Sequence, residues 1–215
     1  MVILRNSFYF ILSVVFLSNM SHAQEFNYGL SIGLGQSSGI FTDEIYENKT
    51  NSEMNYNLNA LVYFPSTSNL KVQTGIKFFR TGYNVDLNIK TFVGPSPKNH
   101  SIDLSFLAIP FNLNYLLPFF SNAYLSGGLE VAYLLSAYSD FLNDDNSSFQ
   151  ENVTNQFNDL NVFFAIGIGL DVPMHKITLF IKPEYTRSIN ALAENSSFGK
   201  ASHIETIVLN IGFKL

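Results

Sequence analysis

Few residues in this chain combine the type and spacing that chemistry needs. Ser202, His203 and Glu205 stand together near the C-terminus. A serine polarised by a histidine, itself oriented by a carboxylate, would make a lipid-ester hydrolase. On a strand, neighbouring side chains point to opposite faces, so Ser202 and His203 meet only if the chain bends there. His203 and Glu205 share a face, but an i, i+2 pair is common. Asp140, Asp144, Asp145 and Glu151 gather in one polar stretch and offer oxygen ligands to a hard cation such as Ca²⁺, or through it to lipopolysaccharide phosphates. That stretch lacks the turn glycine and closing glutamate of a calcium loop, so a solvated acidic loop is the plainer reading. His175 sits in a short turn and reads as a surface residue. Asn48-Lys49-Thr50 and Asn195-Ser196-Ser197 fit a glycosylation pattern that operates only in a eukaryotic secretory route. There is no phosphate loop, dinucleotide fingerprint or nucleophile elbow. Without cysteine there are no disulfides, thiolate metal sites or thiol catalysis. The residues therefore predict no catalytic group, no cofactor and no metal.

A second set of charged residues is spread along the chain: Lys71, Lys77, Glu130, Asp171, Lys182, Glu184 and Lys214. They matter because of the elements that carry them. The dominant hydrophobic period is two, the period of strands. Ile207, Leu209, Ile211, Phe213 and Leu215 alternate with Thr206, Val208, Asn210, Gly212 and Lys214. Val162, Phe164, Ile166, Ile168, Leu170 and Val172 alternate with Asn161, Phe163, Ala165, Gly167, Gly169 and Asp171. At 100° per residue such positions would scatter around a helix. Eight strands follow, near 26–40, 54–64, 70–86, 102–117, 122–138, 158–173, 176–189 and 203–215. Their connections alternate between short turns and longer stretches rich in Asn, Ser and Asp.

Residues 1–23 precede the strands. Arg5, an apolar run from Phe8 to Leu17 and the small residues of Ser21-His22-Ala23 have the layout of a cleavable secretory signal. Cleavage after Ala23 leaves 24–215 as one domain and removes His22. No later stretch offers 18 uninterrupted apolar residues, so no helix spans a membrane. The charged fraction, 13%, is about half the usual one, and apolar residues reach 47%, which excludes a disordered chain. The net charge of −5 excludes a basic field for nucleic acid.

An even strand count behind an export signal, with short turns at one end and long loops at the other, predicts an all-β fold. It is an eight-stranded antiparallel up-and-down transmembrane β-barrel of the outer membrane. The face chemistry sets this against a soluble lipocalin-like binder, whose apolar face would point inward. Here the charged face also carries Gly29, Gly33, Gly35, Gly75, Ser126, Gly128, Gly167 and Gly169, which suit a narrow interior. Lys71, Lys77, Glu130, Asp171, Lys182 and Glu184 would then form a structural polar network in a filled lumen. The apolar rows would meet lipid, with Phe26, Tyr28, Phe64, Phe119, Phe120, Tyr185 and Phe213 as interfacial girdles. Closure pairs the first strand with the last and puts both termini on the short-turn, periplasmic side.

The segment Phe106-Leu107-Ala108-Ile109-Pro110-Phe111-Asn112-Leu113-Asn114-Tyr115 resembles the "L-x-I-P-x-x-x-x-Y" strand of PorT-like outer-membrane β-barrel proteins. Gly75-Ile76-Lys77-Phe78-Phe79, Gly127-Gly128-Leu129-Glu130 and the terminal Asn210-Ile211-Gly212-Phe213-Lys214-Leu215 fit the same family. The resemblance implies a small barrel of the OmpA/OmpX size and no reaction. It also implies a possible place beside a protein-secretion system. The partners expected are outer-membrane lipid and lipopolysaccharide, the barrel-assembly machinery that reads the last strand, and a secretion-system or extracellular protein met by the long loops. The alternatives are an outer-membrane lipid hydrolase at Ser202 and His203, the soluble periplasmic binder and a conducting pore.

Overall fold

The computed structural model describes residues 26–41, 50–65, 69–86, 97–120, 122–143, 147–193 and 203–215. The leader expected over 1–23 lies outside them. The strands are β1 (Asn27–Ile40), β2 (Thr50–Pro65), β3 (Leu70–Asp86), β4 (Pro97–Leu116), β5 (Ala123–Asn143), β6 (Ser148–Asn152), β7 (Leu160–Pro173), β8 (Thr178–Ser188) and β9 (His203–Lys214). A single 3₁₀ turn, η1 (Thr154–Gln156), follows β6.

All pairings are antiparallel between neighbours in the order β4-β3-β2-β1-β9-β8-β7-β5, and β4 pairs with β5 to close the ring. Eight strands thus form the wall. β1 and β9 pair from Gly29↔Lys214 to Ile40↔His203, so the first and last strands leave no open edge. In hydrocarbon an unpaired edge would cost several kcal/mol for each backbone group, and closure removes that cost. The start of β1 and the end of β9 lie at the end that carries the short turns β2–β3, β4–β5 and β7–β8. We call this the terminal end and the other the long-loop end.

Alternation decides which side chains face out. On β1, Leu30, Ile32 and Leu34 are exposed while Ser31 and Gly33 are buried. On β7, Phe164, Ile166, Ile168 and Leu170 face out, and Asn161, Phe163 and Ala165 face in. The outer wall is therefore apolar and the lumen is filled. Close approach explains two glycines. A Cβ on Gly33 would lie 2.5 Å from Asn210 Oδ1 and 2.6 Å from Asn57 Oδ1, and one on Gly169 would strike the Tyr124 ring.

The structure extends the expected pattern at the long-loop end. β2, β4 and β5 run past their predicted limits, and β6 occupies part of the stretch 139–157 expected to be loop. Polar residues there continue the ladder, as in Ser101↔Asp140 and Asp103↔Tyr138. A strand that projects beyond lipid needs no apolar row, so its composition reads as loop.

Candidate functional site: the filled lumen

The lumen divides along its length. At the terminal end, Lys214 of β9 reaches Asp171 of β7 with its Nζ 2.6 and 2.7 Å from the two carboxylate oxygens. The ammonium lies 4.8 Å from the ring centres of Tyr63 and Tyr124 and 5.2 Å from that of Phe180. One cation thus ties together five strands, β2, β5, β7, β8 and β9, through its charge and the electron-rich ring faces.

Above it lies a layer of amides and charges. Asn59 donates to Ser31 Oγ (2.9 Å) and to Asn57 Oδ1 (2.9 Å), and Asn114 donates to Gln73 Oε1 (3.0 Å). Lys77 Nζ is 2.8 Å from Glu130 Oε1 and 3.4 Å from Glu184 Oε1, and Lys182 Nζ is 2.5 Å from Glu184 Oε2. All four side chains are at most 6% exposed. Two ammonium groups face two carboxylates, so the cluster is neutral as a whole. Buried charges persist only when paired in this way.

Two prolines flank the cluster and interrupt the wall beside it. The β3–β4 ladder stops at Thr74↔Phe111 and resumes at Lys77↔Ala108, around Pro110. The β7–β8 ladder skips from Gly167↔Glu184 to Leu170↔Ile181, around Pro183. Proline supplies no N–H to a ladder. The void beside the charges, lined by Lys77, Pro110, Glu130, Lys182 and Glu184 among others, is about 10 Å³. That is the space of about one water. It is not a pore.

Toward the long-loop end the lumen becomes apolar. Phe79, Leu104, Phe106, Ala132, Leu134, Phe163 and Ile204 pack into one buried cluster. Phe106 stacks on Phe79 with ring centres 5.0 Å apart and meets Phe163 edge-on at 5.5 Å. Val153 and Phe157, beside η1, and Leu192 and Ala193, beyond β8, close this cluster from above. An asparagine clasp holds the two segments together. The Asn158 N–H donates to Leu192 O (2.7 Å) and its side-chain amide to Ala191 O (2.8 Å). Asn190 Oδ1 accepts the Val162 N–H at 2.7 Å, and Asn161 donates to Asn158 O at 2.7 Å.

The expected network residues fall into three groups. Lys77, Glu130, Lys182 and Glu184 come together; Asp171 stands apart with Lys214; Lys71 is half-buried near the terminal end and forms no ion pair among the described residues. The apolar half of the lumen and its clasp were not anticipated. Nor was His100, which is buried in the upper lumen with Nε2 2.7 Å from Ser139 Oγ and its ring stacked 4.3 Å from Phe141.

The candidate chemistry is dispersed. Ser202 lies outside the described residues. His203 Nδ1 is 3.1 Å from the Ser188 carbonyl oxygen and 3.3 Å from its Oγ, and a nitrogen that donates to the carbonyl cannot take a proton from the hydroxyl. Glu205, on the outer wall, accepts from Tyr185 (2.9 Å) and Ser38 (3.3 Å) rather than orienting His203. Asp140 and Glu151 fall on opposite faces of the β5–β6 pair, since Asp140 opposes Gln150 and Glu151 opposes Ser139. Asp144 and Asp145 lie outside the described residues. Among those described, no group of three or more His, Asp or Glu is arranged to hold a metal ion.

The outer wall carries its charges near the long-loop end. Arg80 of β3 grips Asp103 of β4 through Nη2 (2.5 Å) and Nε (3.2 Å), and Arg187 opposes Glu205 across β8 and β9. Below them the wall is apolar, as lipid contact over a band of ~25 Å requires.

A family model described as an outer membrane protein beta-barrel domain matches residues 19–194. No curated protein matches the chain. Among solved structures, the chain is similar to Ail, the attachment invasion locus protein of Yersinia pestis, at 13% identity and a TM-score of 0.45, over 89% of this chain and 99% of that one. Neisserial surface protein A is similar at 9% identity and 0.45, over 88% and 96%. The outer membrane protease OmpT of Escherichia coli is similar at 10% identity and 0.40, over 88% and 95%.

Proposed function

The chain belongs to the outer membrane protein beta-barrel domain family, and from that premise we propose that it is a sealed, non-enzymatic barrel whose long-loop end meets a partner. One observation carries this reading: the lumen is filled along its length, by ion pairs and amides in one half and by an apolar core in the other. A pore needs a continuous wet path, and a hydrolase needs a nucleophile, a base and an orienting group within reach of one another. The outward apolar rows take outer-membrane lipid and lipopolysaccharide chains, and barrel-assembly machinery inserts the chain. Cleavage after Ala23 and a periplasmic position for both termini complete the topology. Its finer form, assistance to a protein-secretion system, rests on the PorT-like strand motif around Leu107-Ala108-Ile109-Pro110.

Planar-bilayer recording of the purified full barrel tests the reading. The account expects no unitary conductance steps in molar salt. Reproducible steps from the folded protein would replace it with a pore.

A further inference from the structure

We propose that the free edge of β6 accepts an added strand from an extended, cationic peptide segment. The inference rests on the interaction role above and names the chemistry of the partner.

Among the described residues β6 is the last strand in the sheet order and is paired on one side only, to β5. All five of its residues are exposed. Two bonds fix the phase of the pairing. The Asn143 N–H donates to Ser147 O at 3.0 Å, and the Val153 N–H donates to Ala137 O at 2.9 Å. In an antiparallel ladder bonded and non-bonded pairs alternate. Phe149 and Glu151 therefore turn their backbone groups toward β5, while Ser148, Gln150 and Asn152 turn theirs to the open side. Below, β7 takes over as the neighbour of β5 only from Tyr133↔Leu160 downward. Natural edges are blunted by lysine, proline or a bulge. β6 has none of these, although it is short and carries one charge, Glu151, whose backbone groups face β5. Such an edge gives affinity through main-chain bonds and selects side chains through its neighbours.

Charge and an aromatic side chain define the occupant. From Val131 to Leu170 the sequence contains no Lys, Arg or His, yet it holds Asp140, Asp144, Asp145, Glu151 and Asp159. A second copy of the same hairpin would bring like charges together across the new ladder, which is unfavourable. A cationic strand is attracted instead. Phe149 is 60% exposed and offers an apolar contact to a β-branched or aromatic residue on the incoming strand.

The test uses the full-length barrel in zwitterionic nanodiscs and a synthetic decapeptide of alternating lysine and valine, with its glutamate–valine counterpart as comparison. The lysine peptide should bind and the glutamate peptide should not. Gln150→Pro removes an N–H that β5 does not use, so the unboiled variant should keep its fast gel migration and lose at least about tenfold in affinity. A lysine–valine peptide methylated at alternate amide nitrogens should lose affinity for the unaltered protein to a similar extent, whatever the fold of the variant. Equal binding of the methylated peptide, or of a folded Gln150→Pro barrel, would reduce the contact to simple charge attraction and overturn strand addition. Absence of binding by the lysine peptide would overturn the cationic partner. Neither result touches the sealed lumen, which the conductance experiment tests separately.

Discussion

The two halves of the lumen solve the same packing problem with opposite chemistry. Near the termini, space is filled by long polar side chains over glycine and serine, and the buried charges Lys77, Glu130, Lys182 and Glu184 meet one another. Near the long loops, phenylalanine, leucine and alanine fill it as in a soluble protein core. The polar half depends on completeness, because its buried charges rely on partners across the lumen, as Lys77 does on Glu130 and Glu184, or along one strand, as Lys182 does on Glu184. The apolar half depends on volume and is non-directional. The first half sets charges and amides against one another across the lumen; the second supplies apolar burial toward the long-loop end. Val153, Phe157, Leu192 and Ala193 continue that burial beyond the wall, so the described segments 153–158 and 190–193 pack as a folded cap and not merely as tethers.

The contrast can be broken most severely in the polar half. Lys77→Ala leaves Glu130 and Glu184 with one ammonium between them, and removing one member of a buried pair costs about 3–5 kcal/mol. The midpoint of urea unfolding in detergent micelles, followed by gel migration without boiling, should fall sharply. Lys77→Met combined with Glu130→Gln removes one charge of each sign and should recover part of the loss. In the apolar half, Phe106→Ala opens a cavity between Phe79 and Phe163 and should cost about 3 kcal/mol by the same assay. No companion polar substitution should rescue it. That asymmetry is the sharpest form of the comparison.

Smaller effects follow toward the surface. Asn190→Ala deletes the acceptor for the Val162 N–H and part of the clasp, a loss of about 1 kcal/mol. Its clearest sign should be faster proteolysis between 147 and 160, with the wall still migrating as a folded barrel. Arg80→Ala breaks an exposed pair on the outer wall and should change stability by less than about 1 kcal/mol. A large loss there would mean that the outer charges hold the barrel together, contrary to the division drawn above.

How much of this the sequence discloses follows the same division. β7 and β9 alternate cleanly through the lipid-facing band, so their faces can be read from residues 161–172 and 206–215. Gly33 and Gly169 mark the crowded interior because a Cβ there would press on Asn57, Asn210 and Tyr124. On β4 the signal fades. Ile102, Leu104 and Phe106 face inward while Leu107, Ile109, Phe111 and Leu113 face outward, and a strand apolar on both faces has no polarity to read. The rule that apolar rows meet lipid therefore misses the upper core. β6 is missed because Ser148-Phe149-Gln150-Glu151-Asn152 has one apolar residue and lies beyond the membrane's demands. Val153, Phe157 and Leu192 are single apolar residues in polar stretches, without a period. The pairing of Asp171 with Lys214 and not with Lys71 depends on register, which charge counts do not reveal. His203 and Glu205 share a face yet do not act together, because His203 turns to the Ser188 carbonyl while Glu205 accepts from Tyr185 and Ser38.

Because the chain has no cysteine, the filled lumen can be probed one position at a time. Ser126→Cys in the polar half and Ala132→Cys in the apolar half place single thiols inside the wall, and Phe119→Cys places one on an exposed turn. With the folded barrel and a water-soluble maleimide, the account predicts rapid labelling of Phe119→Cys and protection of both lumen thiols until urea unfolds the chain. Rapid labelling of the Ser126→Cys or Ala132→Cys thiol in the folded state would contradict a sealed interior and put a water-filled path in its place.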